Sequence, residues 1–288
     1  MESEHHRSYK AGIAYILTAW WLFTLTTLIA RFASQRISIA TILLFQNAIG
    51  LLSVLPWLKK HGFDLLRTEN FGLIAFRSLI SLVAIALSFF AIKEISIVNT
   101  MLLTTTSPLW IPFIVRIWRK TPINHLIWPG LICGFLGIFL ILRPGKEIYQ
   151  LGALLALVAG ILQGFNMISL RLLSYSVRNH TVMFYYFLIC SIICIPLSLF
   201  TWIQPTTTEW IEIFAMGIFF TLGQWAFVRA FHHAKASQLG FFCYSAVVYS
   251  VILDWVLYAK VPDILSWIGI LLVSLGGIWA MSLYHNRS

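Results

Sequence analysis

Four hydroxyl residues and a proline stand together at Thr104-Thr105-Thr106-Ser107-Pro108, followed by Leu109-Trp110. They interrupt an apolar segment running roughly from Ile97 to Val115. Their chemistry is hydrogen bonding rather than bond-making. Pro108 has no backbone N–H, so a helix running through it leaves the Thr104 carbonyl without its partner. In hydrocarbon an unpaired carbonyl costs several kcal/mol, and broken helices survive there only inside a bundle or beside a wet cavity. Neighbouring hydroxyls can take up the freed groups. The stretch therefore reads as an interior span where a polar solute could rest, with a ligand-free packed kink as the plainer alternative.

Other segments carry polar or small stripes at three- and four-residue steps, which places each stripe on one helix face. They are Trp20, Thr24, Thr27 and Arg31; Gln46, Gly50 and Ser53; Arg77, Ser81, Ala84 and Ser88; Thr100, Thr104 and Ser107. Later in the chain come Gly217, Thr221 and Gln224 with Trp225 beside them, then Gly240, Cys243, Val247, Ser250 and Asp254. Lipid tolerates none of these faces well, so they are expected to converge. The alternative is tight packing through small residues and interhelical hydrogen bonds. The expected substrate-binding set is Trp20, Gln46, Arg77, Ser81, Thr104, Ser107, Trp110, Gln224, Trp225, Tyr244 and Ser250. In it Arg77 and the Thr104–Ser107 hydroxyls meet polar groups, and Trp225 and Tyr244 form a stacking wall. Arg77 and Asp254 are the ionisable residues most clearly inside spans, where charge is expensive and usually faces a cavity or a partner. Pro108, Arg229 and Asp254 are the expected coupling or gating residues.

Enzyme chemistry is not expected. No Gly-rich phosphate loop, HExxH or GxSxG occurs, and one mid-span carboxylate makes no acid/base pair. Cys133, Cys190, Cys194 and Cys243 all lie within apolar runs and read as small hydrophobes. His5-His6 and His232-His233 are adjacent pairs without helical ligand spacing, so no metal site and no cofactor are expected.

The elements that must position these groups are membrane helices. Of 288 residues, 59% are hydrophobic and 10% charged, against about 25% charged in soluble domains. A spanning helix needs about 20 mainly apolar residues. Ten such segments occur, at roughly 11–30, 37–57, 71–91, 97–115, 124–142, 150–170, 181–202, 210–230, 237–258 and 264–284. The fold class is thus an all-α membrane protein. The first segment reads as a membrane helix rather than a cleaved leader. With the N-terminus inside, the inner segments hold thirteen Lys and Arg, among them Lys59, Lys60, Arg116, Arg119 and Lys120, and the outer ones six. The positive-inside rule then puts both termini in the cytoplasm. The net charge of +10 lies in these short loops, so no nucleic-acid partner is expected. The expected partners are a small-molecule substrate and the lipid bilayer. The Gly130/Gly134 GxxxG permits close helix approach within one chain or in a homodimer.

The chain also repeats. At a shift of 140 residues Pro122 meets Pro262, Lys120 meets Lys260, Gly137 meets Gly277 and Thr104 meets Tyr244. Each half, 1–145 and 146–288, holds five spans. Five is odd, so the second copy lies upside down in the bilayer, the usual build of secondary transporters.

The order of these features resembles the drug/metabolite transporter superfamily, in its ten-helix EamA-type branch. In the first half the resemblance rests on Arg77, Phe89-Phe90-Ala91-Ile92-Lys93-Glu94-Ile95, Thr106-Ser107-Pro108-Leu109, Gly134-Phe135-Leu136-Gly137-Ile138 and Leu142-Arg143-Pro144-Gly145. In the second it rests on Gly152-Ala153-Leu154-Leu155-Ala156-Leu157, Arg229-Ala230, Ala236-Ser237 and Val261-Pro262. It implies a bacterial inner-membrane permease of two inverted five-helix repeats working by alternating access. The substrate it implies is a small metabolite, amino-acid-like or polar with an aromatic or cationic part such as S-adenosylmethionine. Lys120 and Lys260 stand near where the family often has glutamates, so no role of those glutamates carries over. The ninth span has Val247-Val248 in place of the proline, which predicts unequal halves there. A lipid-headgroup flippase and a non-transporting partner subunit are the competing functions.

Overall fold

The computed structural model describes residues 2–62, 66–120, 126, 128–142, 151–233, 239–258 and 263–285. Lys146, Lys235, Lys260, Pro122 and Pro262 lie outside the described residues. So do the motif residues Arg143-Pro144-Gly145, Ala236-Ser237 and Val261. The helices are α1 (Glu2–Ala33), α2 (Ile39–His61), α3 (Phe71–Glu94), α4 (Ile97–Thr104), α5 (Ser107–Arg119) and α6 (Trp128–Leu142). The second half has α7 (Leu151–Leu173), α8 (Asn179–Phe200), α9 (Thr207–His233), a 3₁₀ turn at Gly240–Tyr244, α10 (Ser245–Tyr258) and α11 (Ile264–His285). Seven segments are long and apolar enough to cross a bilayer, and three shorter apolar helices complete a set of ten. Serines start two of them: Ser38 accepts from the Thr41 N–H at 3.2 Å, and Ser96 from the Asn99 N–H at 3.1 Å, each satisfying an orphan donor of a first turn.

The element ends carry the repeat more clearly than the residues do. Ala33 and Leu173 end α1 and α7, and Ile39 and Asn179 begin α2 and α8, each pair 140 positions apart. Packing follows the same exchange. α1 lies along α9 and α3 along α7, while α2 pairs with α8 and α6 with α11. Swapping the halves turns the first two pairs into each other and leaves the last two unchanged. The structure is all-α, with ten crossing segments in two inverted sets of five.

Polar stripes turn inward as their spacing predicts: Thr24, Thr27, Gln46, Arg77, Ser81, Thr100, Thr221, Gln224 and Ser250 are all buried. Phe200, Ile117 and Leu199 are well exposed, as a lipid-facing surface requires.

The fourth span is broken, but not as a proline kink. The break falls at Thr105–Thr106, and Pro108 sits in the first turn of the new helix α5, where a missing N–H costs nothing. Three hydroxyls fold back onto carbonyls of the preceding turn, which also accept the Thr105 and Thr106 N–H groups. Thr104 donates to Met101 O at 3.0 Å, Thr105 to Met101 O at 2.8 Å, and Thr106 to Leu103 O at 2.7 Å. Gly160 of α7 lets this point approach, since a Cβ there would lie 2.7 Å from Thr106 Oγ1 and run into the Leu103 carbonyl. The ninth span breaks at the matching place without a proline: its 3₁₀ turn ends at Tyr244, 140 positions after the end of α4 at Thr104. The inequality expected from Val247-Val248 is seen in the elements themselves: α4 and two turn residues precede α5, whereas the 3₁₀ turn runs straight into α10, although the change of helix falls at the matching place.

The GxxxG glycines are used within the chain. A Cβ on Gly130 would stand 2.9 Å from the Gly276 carbonyl, and one on Gly134 would strike Leu109. A Gly276→Leu substitution is therefore expected to force α6 and α11 apart, costing about 1–3 kcal/mol or more. Thermal unfolding in detergent checks this, with Gly72→Leu, which meets nothing within 4 Å, unchanged beside it.

Candidate functional site

Five helices leave a cavity at the middle of the bundle. α1 supplies Trp20, Phe23, Thr26 and Thr27, and α3 supplies Ser81, Ala84, Ser88 and Phe89. Thr100, Met101 and Thr104 come from α4, Ala159 and Gln163 from α7, and Phe220 and Gln224 from α9. Most of these lie between mid-helix and the end of their span nearer the α1–α2 connection. The cavity thus occupies the half-thickness away from the chain ends. It measures about 90 Å³, room for a few waters and short of the roughly 300–1,000 Å³ of typical ligand pockets. A metabolite enters only as helices part.

Toward the chain ends the path is shut by rings. Trp20 meets Phe227 edge-on at 6.0 Å, Phe23 meets Phe227 at 5.8 Å, and Phe227 meets Phe231 at 5.0 Å. Both Phe227 and Phe231 are fully buried.

The lining has a definite hydrogen-bonding polarity. Thr26 and Thr27 donate to the Leu22 and Phe23 carbonyls, both at 2.9 Å. Ser88 donates to Ala84 O at 2.8 Å and Thr100 to Ser96 O at 2.9 Å. A hydroxyl whose proton is spent on its own helix keeps lone pairs as acceptors. Gln163 differs: its Oε1 accepts from Asn166 Nδ2 at 3.1 Å, which leaves its amide NH₂ to donate. The cavity therefore offers several acceptors and amide donors between aromatic faces, with no charged side chain in the described lining.

Of the expected binding residues, Trp20, Ser81, Thr104 and Gln224 line the cavity. The others do not. Gln46 is buried on α2, and Ser107 packs its hydroxyl on Met167 Sδ at 3.6 Å. Trp110 donates to Thr106 Oγ1 at 3.2 Å and packs against Phe135. Ser250 donates to Val247 O at 2.8 Å. The stacking wall moves as well. Trp225 is one residue past Gln224, so it points about 100° away and donates to Ser53 Oγ at 3.4 Å. Tyr244 is buried in a separate apolar cluster with Leu103 and Val247. Trp20, Phe23, Phe89 and Phe220 are the aromatic faces instead. Arg77 is wholly buried one turn beyond Ser81 and does not reach the interface. Pro108 opens α5, and Asp254 is buried on α10. Arg229 is exposed at the shut end, 6.0 Å from the Tyr15 ring and 5.9 Å from Trp225. Gln163 is the main residue not anticipated. Its signal was present, since Gln163, Asn166 and Ser169 form a polar stripe on α7 at three-residue steps.

The profile of the EamA-like transporter family matches residues 10–143 and again 150–282. A riboflavin transporter of Vibrio cholerae serotype O1 is 27% identical over 280 residues, covering 96% of this chain and 93% of that protein. The pseudopaline exporter CntI of Pseudomonas aeruginosa is 24% identical over 266 residues, covering 92% and 93%. An S-adenosylmethionine uptake transporter of Rickettsia bellii is 19% identical over 259 residues, covering 89% and 88%. One solved crystal structure superposes with a TM-score of 0.68 at 16% identity, over 98% of this chain and 99% of its own.

The placement of the cavity is checked by thiol labelling. With Ser88→Cys, a membrane-impermeant maleimide is expected to react from the side of the α1–α2 connection. Ala230→Cys, buried at the shut end, is expected to stay unlabelled from either side.

Proposed function

The chain belongs to the EamA-like transporter family, and from this we propose that it carries a metabolite with a flat aromatic part and several hydrogen-bonding groups. Flavins are the compound class that best matches the lining. The coarser statement needs no proposal: this is an integral membrane protein of a small-molecule transporter family, not of an enzyme family. One observation carries the finer reading, namely an uncharged cavity walled by Trp20, Phe23, Phe89 and Phe220 and edged by hydroxyls and two carboxamides. A flavin ring is planar and stacks on aromatic faces. Its pyrimidine edge alternates donors and acceptors, as carboxamides do, and its polyol tail supplies donors to Thr26, Thr27 and Ser88. The riboflavin transporter relative supports the same class. No acid in the lining favours a cationic part.

Alternating access would open the aromatic closure at Trp20, Phe227 and Phe231 while shutting the opposite end. Gating falls to the broken fourth span at Pro108, to Arg229 at the closed end, and to Asp254 in the other half. The excess of basic residues in the connections of one side supports cytoplasmic termini, and the bacterial relatives support an inner membrane as the setting. The polar cavity at the bundle centre, small as it is, supports carriage over a non-transporting subunit.

Purified protein in liposomes is expected to show saturable riboflavin flux. Gln224→Ala and Trp20→Ala should each lower kcat/KM about tenfold, the equivalent of about 1.4 kcal/mol, while Trp225→Ala stays within about threefold. Flux no greater than in empty vesicles would overturn the flavin reading.

A further inference from the structure

We infer that Arg77 binds an anionic group of the carried solute, a carboxylate or phosphate oxyanion, reached from the side on which both chain ends lie. This rests on the chain being a carrier of flavin-like solutes and adds a charge that neutral riboflavin lacks, so a phosphorylated flavin is the member of that class it favours.

Arg77 has no exposed surface, and its Nε, Nη1 and Nη2 have no hydrogen-bond partner among the described residues. The face of the Tyr186 ring stands 4.8 Å away, and the Cys190 thiol is a further neighbour. A guanidinium does not shed its proton in a protein, so it cannot escape the cost of burial by becoming neutral. An unpaired buried charge is strongly destabilising, and the ring face offsets only part of that. The chain holds Arg77 in a conformation in which it is poorly satisfied.

Among the described residues no carboxylate bonds to it. The sequence has ten acids. Glu94, Glu209, Glu212, Asp254 and Asp263 lie in or beside the opposite half-thickness, Glu2 and Glu4 begin α1, and Glu69 precedes α3; Asp64 and Glu147 lie outside the described residues. Arg77 is six residues inside α3, which starts at Phe71, or about 9 Å from its end. Other under-satisfied polar atoms lie at the same depth. Tyr186 Oη is seven residues into α8, and Asn166 Oδ1 is seven from the end of α7. Both residues are almost wholly buried.

The fold itself does not ask for a cation here. The repeat partner of Arg77, 140 positions on, is Gly217, and that of Tyr186 is Gln46. Around Gly217 the space is taken by Ile49, which a Cβ would strike. One half of the molecule thus fills this position with aliphatic carbon, and the other spends a charge on it. A charge that architecture does not need, that no acid among the described residues answers, and that lies one turn beyond the Ser81 wall of the cavity is a recognition group. Parting of the Trp20, Phe227 and Phe231 rings would bring it into the solute path.

The test uses the full-length protein in phospholipid-free detergent and follows thermal unfolding. Inorganic phosphate and acetate are titrated against chloride at equal ionic strength. Wild type is expected to gain Tm with phosphate or acetate, and Arg77→Gln to lose that response. Arg77→Lys should keep it with about tenfold weaker half-saturation, because the planar fork is lost. Without anion, Arg77→Met should unfold at the same or a higher temperature than wild type, whereas a structural ion pair would make it lower. A wild type blind to both anions, an equal response in Arg77→Gln, or a lower Tm in Arg77→Met overturns the inference. Should the Met variant fail to fold, the Lys and Gln titrations decide alone. Phosphatidylglycerol is the second arm, and a response to it without one to phosphate would assign Arg77 to a lipid headgroup and overturn the solute site. None of these arms contains a flavin, so a failed riboflavin flux and a failed anion response are separate results.

Discussion

Within hydrocarbon no water is available to an unpaired peptide group, and the rest of this molecule is arranged around that fact. A span that breaks must find partners for its loose carbonyls or be hidden from lipid. The fourth span does both. Threonines 104, 105 and 106 fold their hydroxyls onto the preceding turn, and Gly160 removes the side chain that would keep α7 from covering the break. The same threonines bring oxygen to the middle of the membrane. Thr104 faces the cavity while its proton stays committed to the backbone. A group that braces the helix also leaves an acceptor facing the cavity.

Much of the architecture was legible because hydrophobic length and periodicity are strong signals. The ten spans, the inward stripes and the offset between halves all follow from them. Residue-level placement was less so. A helix turns about 100° per residue, so Gln224 and Trp225 belong to different environments although they are neighbours in sequence. Stripe spacing identified Thr27, Ser88 and Thr100, yet spacing alone does not say which members of a stripe meet open space and which meet another helix. Gln46 and Ser250 are on the correct faces and are packed. The proline misled in another way. Pro108 looked like the cause of a kink, but the ninth span breaks at the matching position without one. What interrupts both spans is where two inverted halves meet, a property of tertiary structure that no single residue announces.

The cavity also shows how a symmetric frame acquires an asymmetric interior. Both halves supply equivalent helices, but their side chains have diverged. Phe23 on α1 corresponds to Gln163 on α7, and both line the cavity, one as a ring face and the other as an amide. The Arg77–Tyr186 contact corresponds to a glycine and a glutamine. Such non-matching pairs give the interior its own chemistry, while the matching ones preserve the frame.

The aromatic closure has the same lopsidedness, and this bears on which posture the molecule prefers at rest. Trp20, Phe227 and Phe231 latch one end. Their counterparts 140 positions away are Gly160, Leu87 and Ala91, which bring far less carbon together at the other. Apolar burial stabilises by about 25 cal/mol per Å², so the two latches are of unequal strength. The frame is thereby biased like a spring-loaded door, which shuts by itself at the end where both chain termini lie and has to be pushed to shut the other way.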